Sequence, residues 1–527
     1  MLPRNIFYIF AAVSLSMISV IGIYWSTAFY FLWILVPIVA LGFYDILQTK
    51  HTILKIYPII GRLRYLFESV RPEIQQYFVE SDINGAPISR EFRSLVYQRA
   101  KGVRDTRPFG TIFDVYRDGY EWVNHSLAPT DAHDVDSSVI FGGENCTQPY
   151  TASPLNISAM SFGALSKTAI EALNMGAKLG GFAHNTGEGG LSPYHLKPGG
   201  DIVWQIGTGY FGCRDQKGDF NELLFTEKTS LDVVKMIEIK LSQGAKPGHG
   251  GILPAVKLTE EIAKIRHVSM GQDVVSPAAH SAFSSPKGLL EFVAKLRKLS
   301  GGKPVGFKLC IGYQGEFFSI CKAMIETGIT PDFITIDGGE GGTGAAPVEL
   351  TNSVGMPLKD ALVFVNNVLI GIGLRDKIRI IASGKSISSF HLLRLLALGA
   401  DTVNAARAMM FALGCIQARH CNTDKCPTGI ATQDPARYRA LDVGHKAKRV
   451  ARYHASIVEN LHELIAAMGL TKTSELQPKY INHRVKGALI QNYSQLCPLM
   501  TSGDLLDEKR IPQDYRQTWK DASIDKW

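Results

Sequence analysis

Charge is scarce in this 527-residue chain, where Asp, Glu, Lys and Arg together make up 20%. With no low-complexity tract beside it, that composition excludes long disordered segments. Cysteine is sparse as well, at eight residues: Cys146, Cys213, Cys310, Cys321, Cys415, Cys421, Cys426 and Cys497. Three of them fall in one short window, a spacing that does not suit a disulfide framework in a large protein. Clustered thiols suggest metal or redox chemistry in a reducing compartment instead. No dense Lys/Arg run with interleaved aromatics occurs, so the net charge of +8 gives no case for a nucleic-acid partner. No Gly-X-Y period is present either, so the 50 glycines serve tight turns and close ligand approach. An enzyme is the class these absences leave.

What is abundant at the front is apolar. Residues Asn5 to Trp25 and Thr27 to Leu47 form two nearly uncharged runs, each matching the hydrocarbon thickness of a bilayer. Tyr24, Trp25, Tyr30 and Trp33 cluster at their junction, as interfacial aromatics do. A cleaved signal peptide is the rival reading; two consecutive runs without a small-residue cleavage site argue against it. Arg4 precedes the first run, and Lys50, His51, Lys55, Arg62 and Arg64 follow the second. Both ends are therefore expected in the cytoplasm, with the hairpin in the inner (cytoplasmic) membrane. Length alone allows about three to four domains. The expected divisions are a hairpin at 1–50, an extension at 51–150, a barrel at 151–435 and a helical extension at 436–527.

From Ser153 onward, short β-branched runs alternate with helical patterns. Candidate strands are Leu155–Ser158, Phe182–Asn185, Ile202–Gln205, Asp273–Ser276, Val305–Leu309, Phe333–Asp337, Ile378–Ala382 and Thr402–Asn404. Helical stretches include Lys167–Leu179, Pro286–Leu299 and Ser388–Leu398. The pattern predicts an α/β fold, a (β/α)8 TIM barrel with an amino-terminal hairpin and a helical carboxy-terminal extension. Glycine-rich and polar residues follow the strands: AMSFG at Ala159, NTGEGG at Asn185, DGGEGGTGA at Asp337 and SGKS at Ser383. In such a barrel that is the catalytic face. Two literal GxGxxG matches, Gly207–Gly212 and Gly339–Gly344, open no clear helix in a compact βαβ unit and do not support a dinucleotide fold. Gly341, Gly342 and Gly344 instead suit close approach to a flat cofactor. Ser383, Gly384 and Lys385, with Ala405, Ala406 and Arg407, are placed to hold a phosphate after the last two strands.

The stretch GCIQARHCNTDKCPTG carries Cys415, Cys421 and Cys426, spaced to ligate zinc or an iron–sulfur cluster. His420 is too close to Cys421 for both to ligate one ion easily, which disfavours zinc. With NISAMSFGALS, HNTGEGG, EIKLSQGAKPGHGGILP, SPAAHS, ITIDGGEGGTGAAP and CPTGIATQ in this order, the chain from about Pro154 to Gln433 resembles the synthase domain of glutamate synthase. The front, with HTILKIYPIIGRLRYLFESVRPEIQQYF, resembles membrane-associated single-barrel members of the broader family. The resemblance implies FMN and a [3Fe–4S] cluster with Cys415, Cys421 and Cys426 as ligands. It implies reductive amination of 2-oxoglutarate, or a related oxo acid, to L-glutamate, with electrons passing from cluster to flavin.

By motif position, the resemblance places Ala159, Met160 and Ser161 along the flavin and near substrate, with Thr186 close by. Glu188 becomes a catalytic carboxylate toward the imine or ammonia cation. Lys240 and Arg266 become holders of substrate carboxylates, and Gln243, Lys246 and Lys308 face the flavin, Lys246 counted as catalytic. Three departures qualify this. KPGHGGILPA has His249, Ile252 and Ala255 where the family has an acid, a glutamine and a glycine, so the substrate stays open. No amidotransferase domain precedes the barrel, so ammonia or an amine is expected from solution or from a separate glutaminase subunit. The tail is too short for the glycine-repeat helix domain of the full enzyme, and helix is expected over Ala447–Met468. An unidentified electron donor is required. Alternatives are a synthase of an N-alkylated glutamate, and a membrane-anchored electron-relay subunit without oxo-acid turnover.

Overall fold

A computed structural model describes residues 3–103 and 106–527. The chain divides into two compact units, one reaching to Arg90 and one from Glu91 to Trp527. The first is helical. Helices Pro3–Tyr24 and Leu32–Leu47, joined by a 3-10 turn at Ser26–Phe31, turn back on each other. Phe7, Ala11, Leu35 and Val39 form a buried seam between them. Around that seam Ile6, Phe10, Val13, Val20 and Ile34 stay exposed, an arrangement opposite to that of a soluble hairpin. Pro3–Tyr24 and Ser26–Leu47 are long and apolar enough to cross a membrane. At the end of the second helix, Asp45 is fully buried and pairs with Arg62 at 2.6 Å, while accepting from the Ile59 amide at 3.0 Å. That pair ties the following helix, Gly61–Ile74, to the hairpin.

The second unit opens on the helix Arg90–Lys101, and its first strands are β1 (Glu121–Val123), β2 (Val139–Phe141) and β3 (Tyr150–Ala152). The next four strands are β4 (Leu155–Ile157), β5 (His184–Asn185), β6 (Ile202–Ile206) and β7 (Val234–Lys240). An excursion made of β8 (Ile252–Leu253) and β9 (Val274–Val275) follows. Then come β10 (Val305–Leu309), β11 (Phe333–Asp337), β12 (Arg379–Ser383) and β13 (Thr402–Ala405). Strands β4–β7 and β10–β13 close into one parallel barrel, β7 pairing with β10 and β13 with β4. The TIM-barrel expectation holds, with one correction to its strands. Asp273–Ser276 is not a barrel strand: Val274–Val275 pairs antiparallel with β8 outside the barrel. The missing position belongs to Val234–Lys240, whose Lys235, Glu238 and Lys240 hid it among helix-like charges. Of these, Glu238 and Lys240 alternate on the buried inner face, while Lys235 lies on the other face beside Asp232.

The helices follow their capping chemistry. Lys167–Gly180 starts behind Ser166, whose hydroxyl accepts from the Ala169 amide, and stops at Gly181 with φ 66°. Pro286–Leu299 has Pro at its first position behind the Ser285 cap. The long helix Val443–Ala467 packs on Lys167–Gly180. At the amino-terminal rim Asp332 accepts from Arg297 at 3.0 and 2.9 Å and from the Val305 and Gly143 amides at 2.8 Å each. The tail returns as β14 (Ile481–Lys486) and β15 (Leu489–Asn492), and β14 pairs with β1. Glu121 on β1 accepts from Lys359 at 2.9 Å and also from Arg394 and Tyr493. Burial alone pushes this carboxyl up, but Arg394, Tyr493 and Lys359 bring it down to about 2.

Candidate active site

The loops after the barrel strands enclose a cleft of about 250 Å³. The first loop brings Ala159, Met160 and Ser161 to its wall, and the second brings Gly187 and Glu188. Lys240 comes from the last residue of β7, followed by Gln243 and Lys246. Lys308 and Asp337 come from β10 and β11, and Gly341, Gly342 and Gly344 from the loop behind β11. Ser383, Gly384, Ala406 and Arg407 close the far side. Arg266 reaches in from the helix Glu260–Arg266 of the excursion. Thr186, Lys385 and Ala405 do not line the cleft. Thr186 lies beneath it, donating to the Gly187 carbonyl at 3.0 Å and accepting from the Gln205 amide at 3.1 Å.

Charge is concentrated here. Glu188 pairs with Lys240 at 2.8 Å. Burial works against ionisation of Glu188, yet Lys240, Arg266 and Lys246 outweigh it and lower its pKa. Burial brings Lys246 down to about 8, against the opposing pull of Glu188. Arg266 is brought down to about 10 by burial; one nitrogen donates to the Phe162 carbonyl at 3.1 Å, while its buried Nε has no partner. Lys308 lies 3.3 Å from Asp337, which also accepts from the Gly244 amide at 2.8 Å. Five lining cations thus surround two lining carboxylates, which suits anionic ligands. His249 is exposed and off the cleft wall, whereas Ile252 lies on it.

Two features fit a flat, phosphorylated cofactor. A Cβ at Gly342 would collide with the Arg407 guanidinium, so glycine here keeps that cation on the cleft wall, and a Cβ at Gly344 would touch Cys421 at 3.5 Å. Ala406 caps the helix Arg407–Leu413 without a side-chain hydrogen bond, next to Ser383, Gly384 and Arg407. Burial lowers the pKa of Lys385, and the neighbouring Arg407 lowers it further; an anion between such groups relieves their repulsion.

The thiols sit at one edge. Cys421 lines the cleft, and Cys415 and Cys426 flank it along the same loop. Gln417, Arg419 and Asp424 in this loop take left-handed φ values of 58°, 58° and 62°, strain that tends to persist at functional sites. Tyr97 donates to the Cys415 carbonyl at 2.6 Å and Lys257 to the Cys421 carbonyl at 3.1 Å. Burial raises Cys415 to about 12 and also raises Cys421. At Cys426 burial is outweighed by the Thr428 hydroxyl and by the Ala431, Thr428 and Ile430 amides, so its pKa falls. Such donors to sulfur suit an iron–sulfur ligand. Among the described residues, however, no three His, Cys, Asp or Glu side chains converge as a formed metal centre.

Sequence reasoning left out Gln205 and Asp337, both on the wall. Asp337 opens the quoted DGGEGGTGA motif and was available as a candidate. Gln205 sits within the apolar run of β6 and carries no local signal.

A family model described as the conserved region in glutamate synthase matches residues 123–471. The glutamate synthase large subunit-like protein YerD of Bacillus subtilis is 38% identical over 490 residues, covering 85% of this chain and 93% of that protein. An archaeal glutamate synthase [NADPH] of Methanocaldococcus jannaschii is 37% identical, covering 62% of this chain and 60% of its own length. Against the glutamate synthase [NADPH] large chain of Bacillus subtilis, the 32% identical region spans 60% of this chain and only 20% of that protein. With more than half its length matched and YerD aligned almost end to end, the chain belongs to the glutamate synthase family.

Proposed function

We propose that this chain is a membrane-tethered, FMN-dependent oxidoreductase of the glutamate synthase type. It reduces the imine of 2-oxoglutarate or a related oxo acid with ammonia. The observation that carries the reading is the Glu188–Lys240 pair, flanked by Arg266 and Lys246 at the mouth of the barrel. FMN, when bound, supplies the hydride. Lys240 and Arg266 hold the substrate carboxylates, a role for which fixed cations are suited. Glu188, kept ionised, faces the nitrogen cation. Lys246 holds a proton at Nζ near neutral pH, and Lys308 and Gln243, on the cleft wall, would flank the ring. Ala159, Met160, Ser161, Gly341, Gly342 and Gly344 leave room for it. Ser383, Gly384, Ala406 and Arg407 would hold its phosphate, with Lys385 and Ala405 supporting them from behind the wall, and Thr186 supports the floor. Cys415, Cys421 and Cys426 would hold a [3Fe–4S] cluster, which supplies one-electron transfer. The reading requires an electron donor and a supply of ammonia or an amine, and the amino-terminal hairpin holds the enzyme at the cytoplasmic face of the membrane.

Purified protein is expected to show flavin absorbance, and reduced anaerobically it is reoxidised by 2-oxoglutarate only when ammonia is present. No flavin, or reoxidation indifferent to every oxo acid, overturns the reading; the latter favours an electron relay. Cys421→Ser and Cys426→Ser should lose iron and acid-labile sulfide while keeping flavin. Ile252 on the wall favours a second reading, an N-alkylglutamate synthase that takes an amine. Turnover with methylamine but not ammonia selects it.

A further inference from the structure

Below the cleft, in the barrel interior, lies a carboxylate that no step above uses. Glu238 on β7 is fully buried, and among the described residues no cation pairs with it. Its partners are three neutral side chains from three other strands. Asn185 Nδ2 and Gln205 Nε2 donate to Oε1 at 2.8 and 2.7 Å, and the Thr335 hydroxyl donates to Oε2 at 2.6 Å. An uncompensated carboxylate in a barrel core is costly, and is tolerated when hydrogen bonds surround it.

A carboxylate only accepts, so it dictates which way each amide points. Asn185 must turn its nitrogen inward, and its Oδ1 then takes the Gly187 amide at 3.0 Å. That bond fixes the turn leading into Glu188. Gln205 must likewise turn Nε2 inward, and among the described residues no protein donor occupies its Oε1. Gln205 lines the cleft, which leaves its Oε1 available to an occupant.

We propose that Glu238 is a positioning residue that locks Gln205 as a hydrogen-bond acceptor on the cleft floor, matched to the imide N–H of a flavin ring, and locks Asn185 against the turn carrying Glu188. The inference rests on the flavin reading above and extends it to a buried carboxylate that touches neither cofactor nor substrate. A neutral amide at 238 both donates and accepts, so it no longer selects one orientation of Gln205.

The test is FMN titration of deflavinated full-length protein, followed by potentiometry. For Glu238→Gln the flavin dissociation constant should rise about tenfold, the scale of one hydrogen bond. The flavin midpoint potential should move positive, because a buried negative charge near the ring has been removed. Gln205→Met should weaken FMN similarly, and the double variant no further than either single one. Additive losses overturn the proposal. So does a fall in melting temperature of Glu238→Gln with affinity and potential unchanged, which marks a merely structural role. Where Glu238→Gln does not accumulate, Glu238→Asp keeps the charge but withdraws it from the amides. Affinity should then drop with the potential held, and unchanged affinity overturns the proposal. Wild-type protein that takes up no FMN sinks the flavin reading itself, whereas normal uptake with insensitive variants sinks only the role of Glu238.

Discussion

Lys246 and Glu188 place the cleft's acid–base behaviour within a measurable pH range. Lys246 titrates near 8 because burial disfavours its charge. If its Nζ proton serves turnover, kcat/KM falls above about pH 8, and Lys246→Met loses both that limb and most of the rate. The same shift has a stability consequence of opposite sign. Folding penalises charged Lys246, so the penalty stands in full below about pH 8 and fades as pH rises toward 10.5, the ordinary lysine value. Glu188→Gln strips Lys240 and Arg266 of their counter-charge. The expected cost is about 3 kcal/mol, and a dicarboxylate ligand should raise the melting temperature of this variant more than that of wild type. These side chains were legible in sequence because each stands in an ordered motif. Gln205 was not, because one polar residue inside an apolar strand has no pattern of its own, and Glu238, although it opens the EIKLSQGAKPGHGGILP motif, has no partner nearby in sequence to give it a role. Only the closing of the barrel brings β5, β6, β7 and β11 around them.

Seven of the eight barrel strands follow from apolar runs punctuated by glycine, and the eighth does not. β7 carries charges that are buried by alternation, and a half-charged strand reads as amphipathic helix until its neighbours are known. Val274–Val275 misleads the other way: it is a β-branched pair in an excursion whose far helix delivers Arg266 to the cleft. The two rims of the barrel divide their labour between chemistry and stability. Asp332, which gathers Arg297 and two backbone amides at the amino-terminal rim, belongs to the second group. Asp332→Asn should cost about 3 kcal/mol in denaturant unfolding and leave flavin content and KM unchanged. A changed KM would mean that the rims are coupled.

At the scale of the whole chain, the proposed membrane tether belongs to the amino-terminal unit and the proposed chemistry to the barrel unit. Removing residues 1–50 should release the protein from the membrane fraction into the supernatant with flavin retained, as read by fractionation and absorbance. Retention at the membrane would shift attention to the apolar face of Gly61–Ile74, where Leu63, Leu66, Phe67 and Ile74 are exposed. The apolar runs of the hairpin are plain in sequence, while the pairing of β1 with β14 is not, because nothing local links strands some 360 residues apart. That separation also sets a timetable for synthesis. At about 5–20 residues per second, β1 and Glu121 leave the ribosome roughly 20–70 seconds before the strand and the tyrosine that cover them. For that interval a nascent edge strand and an acid without its full set of partners stand open to solvent. A stretch translated late is what covers one translated early in the barrel unit.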